Sequence, residues 1–306
     1  MQGMLDLIPT FPEMADLDRA HQPVLEALFR DLQPQSSELT FTNLYIWRQG
    51  QAAKITRLGE NICLFSWRPD PQDSYLLSVL GPGASGEQVR RCLDLLGENG
   101  HNPRLRRVDQ AELDRMGITD AEFVIESDRD NWDYVYRVRD LIGLEGEAYR
   151  EKAQHVRNFA RKFHAEYRPI TPELVPACQE LQDLWCDEKH CDLYSSLRAE
   201  ARAVKEVLEH LEELHVTGGA LLVNDRVQAF TLGEPLNRDT VVIHIEKASP
   251  ELHGAFQAIN REFLAQAWAG WEYVNREQDV GEPGLRQAKE SYHPVRMVEK
   301  FVARSR

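Results

Sequence analysis

The sequence has no long apolar run, and nothing in its 306 residues approaches the roughly 18 consecutive apolar residues of a transmembrane helix. Residues 1–6 also lack the basic and apolar regions that mark a secretory signal peptide. We therefore expect a cytoplasmic protein without an integral membrane segment.

The chain also has no excess of basic over acidic residues. The formal net charge is −14 and the isoelectric point is near 5.2. Contacts to phosphate need clustered Lys and Arg, so this balance argues against a general nucleic-acid-binding protein and leaves room only for a local basic patch. Hydrophobic residues make up 42% of the chain, which is enough for one large or two ordinary domains with real cores.

Cysteines are few, odd in number and unevenly spaced. They are Cys63, Cys92, Cys178, Cys186 and Cys191. This pattern favours reduced thiols over a disulfide framework. The alternative of a metal site at Cys186, His190 and Cys191 lacks the second ligand pair of a zinc site, so we predict helix packing there and no metal.

Recognised catalytic motifs are absent too. The chain contains no Gly-x-Ser-x-Gly, no phosphate-binding Walker loop, no His-Glu-x-x-His and no Cys-x-x-Cys. Any catalytic function must therefore be sought in polar residues placed by secondary structure.

Hydrophobic periodicity predicts a mixed α and β chain. In the first half it predicts strands at 61–67 and 75–80 and a helix around Val89 to Leu96. A helix at 149–163 has Arg150, Lys152, Arg157 and Arg161 along it. These cations are candidate nucleic-acid-binding residues, and the alternative is the solvated side of a connecting helix.

Two prolines near residue 170 indicate a boundary, and a second mixed unit follows. Its predicted elements are helices at 174–185 and 199–214, a hairpin of 219–223 with 227–232, a strand at 241–246, a helix at 255–268, a strand at 273–279, a short helix at 285–292 and a strand at 295–302.

The strands at 241–246 and 273–279 carry the most informative polar residues. Alternation puts His244 and Glu246 on one face of the first strand, and Asn275, Glu277 and Asp279 on one face of the second. If the strands are neighbours, Glu246, Glu277 and Asp279 are candidate catalytic carboxylates that orient an amine and accept its proton, as acyl transfer requires. The alternative is structural ion pairing with nearby cations, which are Lys247, Arg276 and Lys289.

Binding groups follow the second of these strands. Arg286 and Lys289 lie three residues apart on the predicted short helix, so they share a face that suits a carboxylate or a phosphate. Tyr292 adds a hydroxyl donor, and His244 and Asn275 complete the predicted substrate-binding set. The alternatives are ordinary surface cations and core packing of the aromatic ring.

Three segments carry a family resemblance. They are Phe-Thr-Asn-Leu-Tyr-Ile-Trp at 41–47, Asp-Leu-Ile-Gly-Leu-Glu-Gly-Glu-Ala-Tyr at 140–149, and the long run from Asn275 to Lys300. With the order hairpin, strand, helix, strand, helix, strand, they resemble the bacterial family named for the C-terminal domain of phosphatidylglycerol lysyltransferase. The resemblance covers nearly the whole chain.

The resemblance implies an α/β (α+β) fold of two tandem Gcn5-related N-acetyltransferase-like domains, with mixed central sheets flanked by helices, similar to Fem-type aminoacyltransferases. We expect an N-terminal domain at 1–148, a basic connecting helix at 149–168 and a C-terminal domain with the site at 169–306. It further implies an aminoacyl group, such as lysyl, moved from charged tRNA to an amine or hydroxyl of a small molecule, peptide or lipid headgroup. The family's membrane-embedded domain is not in this sequence, which disfavours the lipid.

Two other functions stay open. A coenzyme A-dependent N-acyltransferase would hold pyrophosphate on a glycine-rich turn before its central helix, but the turn at 247–254 has one glycine, one proline and one acid. A non-catalytic module that binds an amino acid or a peptide is the third hypothesis. We therefore expect no resident cofactor, with aminoacyl-tRNA as the donor substrate and coenzyme A as the alternative.

Overall fold

The computed structural model describes residues 5–306, which form two seven-stranded mixed sheets flanked by helices. This confirms the predicted α/β fold class. The strands are β1 (Ala15–Asp16), β2 (Ala53–Leu58), β3 (Asn61–Ser66), β4 (Tyr75–Leu80), β5 (Leu105–Asp109), β6 (Phe123–Ser127), β7 (Asp133–Arg137), β8 (Glu166–Pro169), β9 (Thr217–Val223), β10 (Arg226–Pro235), β11 (Thr240–Ala248), β12 (Tyr273–Asn275), β13 (Arg296–Val298) and β14 (Lys300–Ser305).

Ten α-helices accompany these strands in the described range. They are α1 (Gln22–Leu32), α2 (Phe41–Gln51), α3 (Gly86–Glu98), α4 (Gln110–Met116), α5 (Val138–Gly143), α6 (Arg150–Phe163), α7 (Val175–Lys189), α8 (Ser195–Glu209), α9 (Ala255–Ala267) and α10 (Pro283–Glu290). Across residues 5–306, no helix combines the length and the apolar character needed to cross a membrane.

Among the described residues, the first compact unit contains 5–133, 278–282 and 298–306. Its sheet has the order β1-β2-β3-β4-β5-β14-β6. Helix α3 begins at the N-cap Ser85, and its apolar stripe of Val89, Cys92 and Leu96 is fully buried in this unit's core.

The second compact unit contains residues 134–277 and 283–297. Its sheet has the order β13-β7-β12-β11-β10-β9-β8. The β9–β10 hairpin turns at Asn224 and Asp225, which both have positive φ, as the favoured two-residue hairpin turn requires. Helix α9 buries Ile259 and Phe263 in the cores that form on this sheet.

The structure divides the chain differently from the boundaries expected at 148 and 168. The basic helix α6 lies inside the second unit, and the chain returns to the first unit at 278–282 and again from Val298 to the end. The predicted last strand at 295–302 is two strands in two sheets, because β13 ends at Val298 and β14 begins at Lys300.

The cysteines require a second correction. Cys186 and Cys191 form a disulfide, so they are neither reduced thiols nor a metal site. Helix α7 ends at Lys189 and His190 adopts a positive φ, so the chain reverses there and brings the two cysteines together. The other three cysteines are free and buried.

Candidate functional site

The candidate site begins where β11 and β12 separate. These parallel strands pair from Thr240 with Tyr273 to Val242 with Asn275. β12 ends at Asn275, whereas β11 continues to Ala248, so the two strands no longer pair beyond this point. Polar side chains of β11 and of the segment after β12 meet across this opening.

His244 is the extra residue of a β-bulge. Leu232 of β10 is opposite Ile245, and the next residue, Gly233, is opposite Ile243, so no β10 residue is opposite His244. A bulge redirects a side chain relative to simple alternation. A Cβ on Gly233 would lie 2.5 Å from the carbonyl oxygen of Val242, so this close approach of the two strands requires glycine.

The imidazole of His244 lies between two carboxylates. Its Nε2 is 2.8 Å from Oε1 of Glu234, its Nδ1 is 2.8 Å from Oε1 of Glu277, and the side chain has 0% exposure. Burial alone would lower the pKa of His244, but the hydrogen bonds and charges of the two glutamates outweigh it and raise the pKa to about 9. The imidazole is therefore a cation at neutral pH, and with two carboxylates the group has a net negative charge.

Glu277 reaches His244 because the chain turns immediately after β12. The buried Asn275 accepts a hydrogen bond from the backbone N–H of Glu277 at 2.8 Å, and Glu277 has a φ of 56°. The predicted strand at 273–279 is therefore wrong beyond Asn275. Glu277 meets His244 through this turn and not through strand alternation.

Glu246 takes part in an ion pair. One oxygen accepts a hydrogen bond from Arg276 at 2.9 Å, and the other accepts one from Asn260 of α9 at 3.0 Å. The guanidinium carbon of Arg276 is 4.9 Å from the centre of the Tyr292 ring. Burial alone would lower the pKa of Arg276, but the charge of Glu246 and the nearby tyrosines outweigh burial and raise this pKa above its ordinary value. Arg276 therefore stays charged. Among residues 5–306, its buried Nη1 has no hydrogen-bond partner.

Tyr292 and Lys289 support this arrangement from the segment after β12. Tyr292 is 7% exposed, and burial raises its pKa to about 12, so its hydroxyl keeps its proton. The ammonium group of Lys289 donates to the carbonyl oxygens of Arg276 and Glu277 and so fixes the turn. Arg286 lies one turn earlier on α10 and is partly exposed.

Asp279 does not join these residues in the second unit. It belongs to the first unit, where it is fully buried, lies 3.2 Å from Arg129 and accepts a hydrogen bond from the backbone of Gly281. The expectation that Asp279 shares a strand face with Glu277 is wrong, because β12 ends before either residue.

The basic helix α6 presents its cations to solvent. Arg150, Arg157 and Arg161 are exposed and bond to side chains of Glu147, Gln154 and Asn158. Lys152 is different, because it is partly buried and its ammonium group lies 5.1 Å from the centre of the Tyr292 ring. This places one end of the helix beside the candidate site.

The first turn of α9 is packed against α6. Gly254, at the start of α9, has a φ of 92°, and a Cβ there would lie 2.8 Å from the backbone oxygen of His155. His253 and His155 are joined by a hydrogen bond of 2.8 Å. This helix N-terminus, where a phosphate would gain from backbone N–H groups, is thus covered by α6.

Sequence patterns missed Glu234. It lies on β10 directly after Gly233, and a glycine inside a strand is the pattern that points to a bulge there. Its contact with His244 depends on the bulge, which periodicity does not show.

The chain matches the sequence profile of the family "Phosphatidylglycerol lysyltransferase, C-terminal" over residues 29–304. No curated protein matches it. A conserved protein of unknown function from Bacteroides thetaiotaomicron is 31% identical, with a TM-score of 0.86 over 96% of this chain and 99% of that one.

Two further solved structures share the fold at low identity. L-PGS from Bacillus licheniformis is 12% identical, with a TM-score of 0.63 over 92% of this chain and 91% of that one. A domain assigned to the C-terminus of a lysylphosphatidylglycerol synthetase from Agrobacterium fabrum is also 12% identical, with a TM-score of 0.64 over 94% of this chain and 92% of that one.

Proposed function

Because the chain belongs to the phosphatidylglycerol lysyltransferase C-terminal family, we propose that it is an acyltransferase that moves an aminoacyl group from charged tRNA to an amine or hydroxyl acceptor. The observation that carries this proposal is the buried Glu234–His244–Glu277 group at the opening between β11 and β12. Its net negative charge suits the ammonium group of an aminoacyl donor, which a simple acetyl donor lacks.

The neighbouring ion pair supplies the complementary charge. The buried Nη1 of Arg276 can donate a hydrogen bond to the carbonyl oxygen of the aminoacyl ester. This hydrogen bond becomes stronger as the oxygen gains negative charge in the reaction. In the proposed reaction, the acceptor attacks the ester carbonyl carbon and the bond to the ribose oxygen breaks. Glu246 takes the proton that the acceptor loses, and that proton passes to the released ribose hydroxyl.

The other predicted residues have binding roles in this scheme. Glu277 holds the ammonium group, while Asn275 and Lys289 fix the turn that carries it. Arg286 and Tyr292 are the remaining groups proposed for donor or acceptor binding. Asp279 has no role here because it lies in the first unit.

A tRNA donor is supported by α6. The overall charge of the chain is −14, but the exposed arginines of α6 form a local basic surface. Such a surface can bind the phosphate groups of RNA. Lys152 places the start of this helix beside Tyr292, and Arg157 and Arg161 extend away along it.

The coenzyme A alternative is less well supported. A pyrophosphate would be expected at the N-terminus of the helix that follows β11, but α6 covers this end of α9. The third hypothesis, an amino-acid or peptide binding module without turnover, would use the same carboxylates.

The test is to incubate the protein with pooled tRNA charged with radiolabelled amino acids, with and without cell extract, and to follow label leaving the tRNA. We expect extract-dependent loss for particular amino acids, abolished in Glu277→Gln and Arg286→Ala and retained in Glu251→Gln. Glu251 is an exposed glutamate of the same unit, so it controls for the chemical change.

Three results separate the hypotheses. Full transfer by both Glu277→Gln and Arg286→Ala would contradict the site assignment. Micromolar binding of acetyl coenzyme A in calorimetry, with no loss of label from tRNA, would favour the coenzyme A enzyme. Thermal stabilisation by free amino acids without turnover would favour the binding module, because a ligand that binds only the folded state stabilises it by mass action.

A further inference from the structure

A separate cavity lies at the other end of β12. It has a volume of about 370 Å³ and is lined by Arg137, Arg139, Trp271 and Glu272, all in the second unit. The acyl-transfer site lies beyond the last residue of β12, Asn275, whereas Trp271 and Glu272 come just before its first residue. The two sites therefore do not share lining residues.

Arg137 is the main feature of this cavity. It is the last residue of β7, where its backbone pairs with Tyr273 of β12. Its Nε is buried and has no hydrogen-bond partner within residues 5–306. A buried N–H without a partner costs stability in the free protein, and an anion in the cavity would supply the missing acceptor.

The other walls combine an apolar surface with charge. Trp271 is partly buried and packs edge-on against Trp268, with ring centres 5.9 Å apart. Arg139 is mostly exposed, with its Nε 3.5 Å from Asp140. Glu272 is exposed, and its interaction with the Tyr273 hydroxyl raises the pKa of Tyr273. The cavity thus offers an indole wall, two guanidinium groups and one exposed carboxylate.

From this arrangement we propose that the cavity binds one nucleotide, with the phosphate on Arg137 and Arg139 and the base against Trp271. Guanidinium groups match phosphate oxygens with paired hydrogen bonds, and indole rings stack on bases of any sequence. The volume is at the small end of ligand pockets, which suits one nucleotide. Glu272 opposes further negative charge, so one phosphate is favoured over two or three.

The nucleotide has two sources with the same chemistry, a free mononucleotide or one residue of an RNA strand. The inference does not depend on the proposed transfer reaction. Its test measures binding alone, so failure of one proposal leaves the other standing.

The experiment is equilibrium dialysis of the protein at low salt against radiolabelled nucleoside monophosphates and a short single-stranded RNA, with inorganic phosphate as a competitor. The diagnostic variant is Arg137→Met, which keeps an unbranched apolar stem like that of arginine and removes the guanidinium group with its buried N–H. Arg168→Met is the matched control, because Arg168 lies on β8 of the same sheet and pairs on the surface with Glu166.

We expect saturable binding with a dissociation constant below about 1 mM, weakened at least about tenfold by Arg137→Met and unchanged by Arg168→Met. Tighter binding of the RNA than of the mononucleotide identifies an RNA residue as the ligand, and equal or weaker binding identifies the free nucleotide. Trp271→Leu should weaken nucleotide but not phosphate binding.

Other results overturn the proposal. The proposal fails if none of these ligands shows saturable binding, or if Arg137→Met and the unchanged protein bind the nucleotide equally. It also fails if inorganic phosphate binds as tightly as the nucleotide. If circular dichroism shows that Arg137→Met is unfolded, Arg137→Lys replaces it. The shorter, non-planar donor should then weaken binding by several-fold, and unchanged binding would again contradict the proposal.

Discussion

Removing the proton from His244 should destabilise the second unit. The imidazole is fully buried between Glu234 and Glu277, so its loss of charge leaves two carboxylates close together without a cation between them. The folded state holds this proton more tightly than the unfolded chain does. Stability must therefore depend on pH in the range where only the folded state is protonated.

The sign and size follow from the two pKa values. In the folded state the pKa of His244 is about 9, above the ordinary value of 6.5. The stabilisation is therefore fully present below about pH 6.5 and is lost as the pH rises through about 9. The difference between these pKa values corresponds to roughly 3 kcal/mol of unfolding free energy.

The assay is urea unfolding with hydrogen exchange of the β11 amides, measured from about pH 6.5 to about pH 9.5 on the unchanged protein and on His244→Gln. The variant should be less stable at neutral pH and should lack the decline that His244 causes. Subtracting the two profiles removes the contribution of other titrating groups. Parallel profiles for the two proteins would refute the idea that His244 is a buried cation.

Three further predictions concern other parts of the chain. Lys300→Met leaves the carboxylates of Glu38 and Asp133 buried without their cation, so it should lower the free energy of unfolding, measured in urea, by about 3–5 kcal/mol. The control Lys54→Met removes a more exposed ion pair and should lower it by less than about 1 kcal/mol. Equal costs would contradict the buried network. Gly254 has a positive φ and a close contact to α6, so Gly254→Ala should lower the free energy of unfolding by about 1–3 kcal/mol. Gly97 lies in a helix with open space around it, so the control Gly97→Ala should not lower this free energy. Alkylation of denatured, unreduced protein followed by mass spectrometry should modify the three free cysteines and leave Cys186–Cys191 unmodified; five labels would show that the pair is reduced.

Much of the fold follows from local pattern. The predicted strand at 75–80 matches β4 in both bounds, the hairpin turn falls at Asn224 and Asp225, and α6 begins one residue after the predicted start at 149. In each case the residues that set the element are neighbours in sequence. Alternation, helical period and turn preference all act over this short range.

The segment after β12 shows where local pattern stops being sufficient. The five consecutive polar residues from Asn275 to Asp279 are compatible with a strand, but strand continuation also needs a partner. β11 and β12 pair no further than Val242 and Asn275. The N–H of Glu277 donates to the side chain of Asn275 and not to a strand, while the carbonyl oxygen of Glu277 still accepts a hydrogen bond from Tyr134 of β7. An Asn followed by consecutive polar residues is a turn pattern as well as a strand pattern, and only the pairing decides between them.

The carboxylate environment of His244 depends on a still longer-range feature. Strict alternation predicted the shared face of His244 and Glu246, yet the partners of His244 come from β10 and from the turn at Glu277. The link to Glu234 needs the bulge opposite Gly233, and the bulge is a property of two paired strands. A glycine in a strand interior is the one sequence mark of such a site, so Gly233 followed by Glu234, facing a strand that contains histidine, is the pattern that could have predicted this contact.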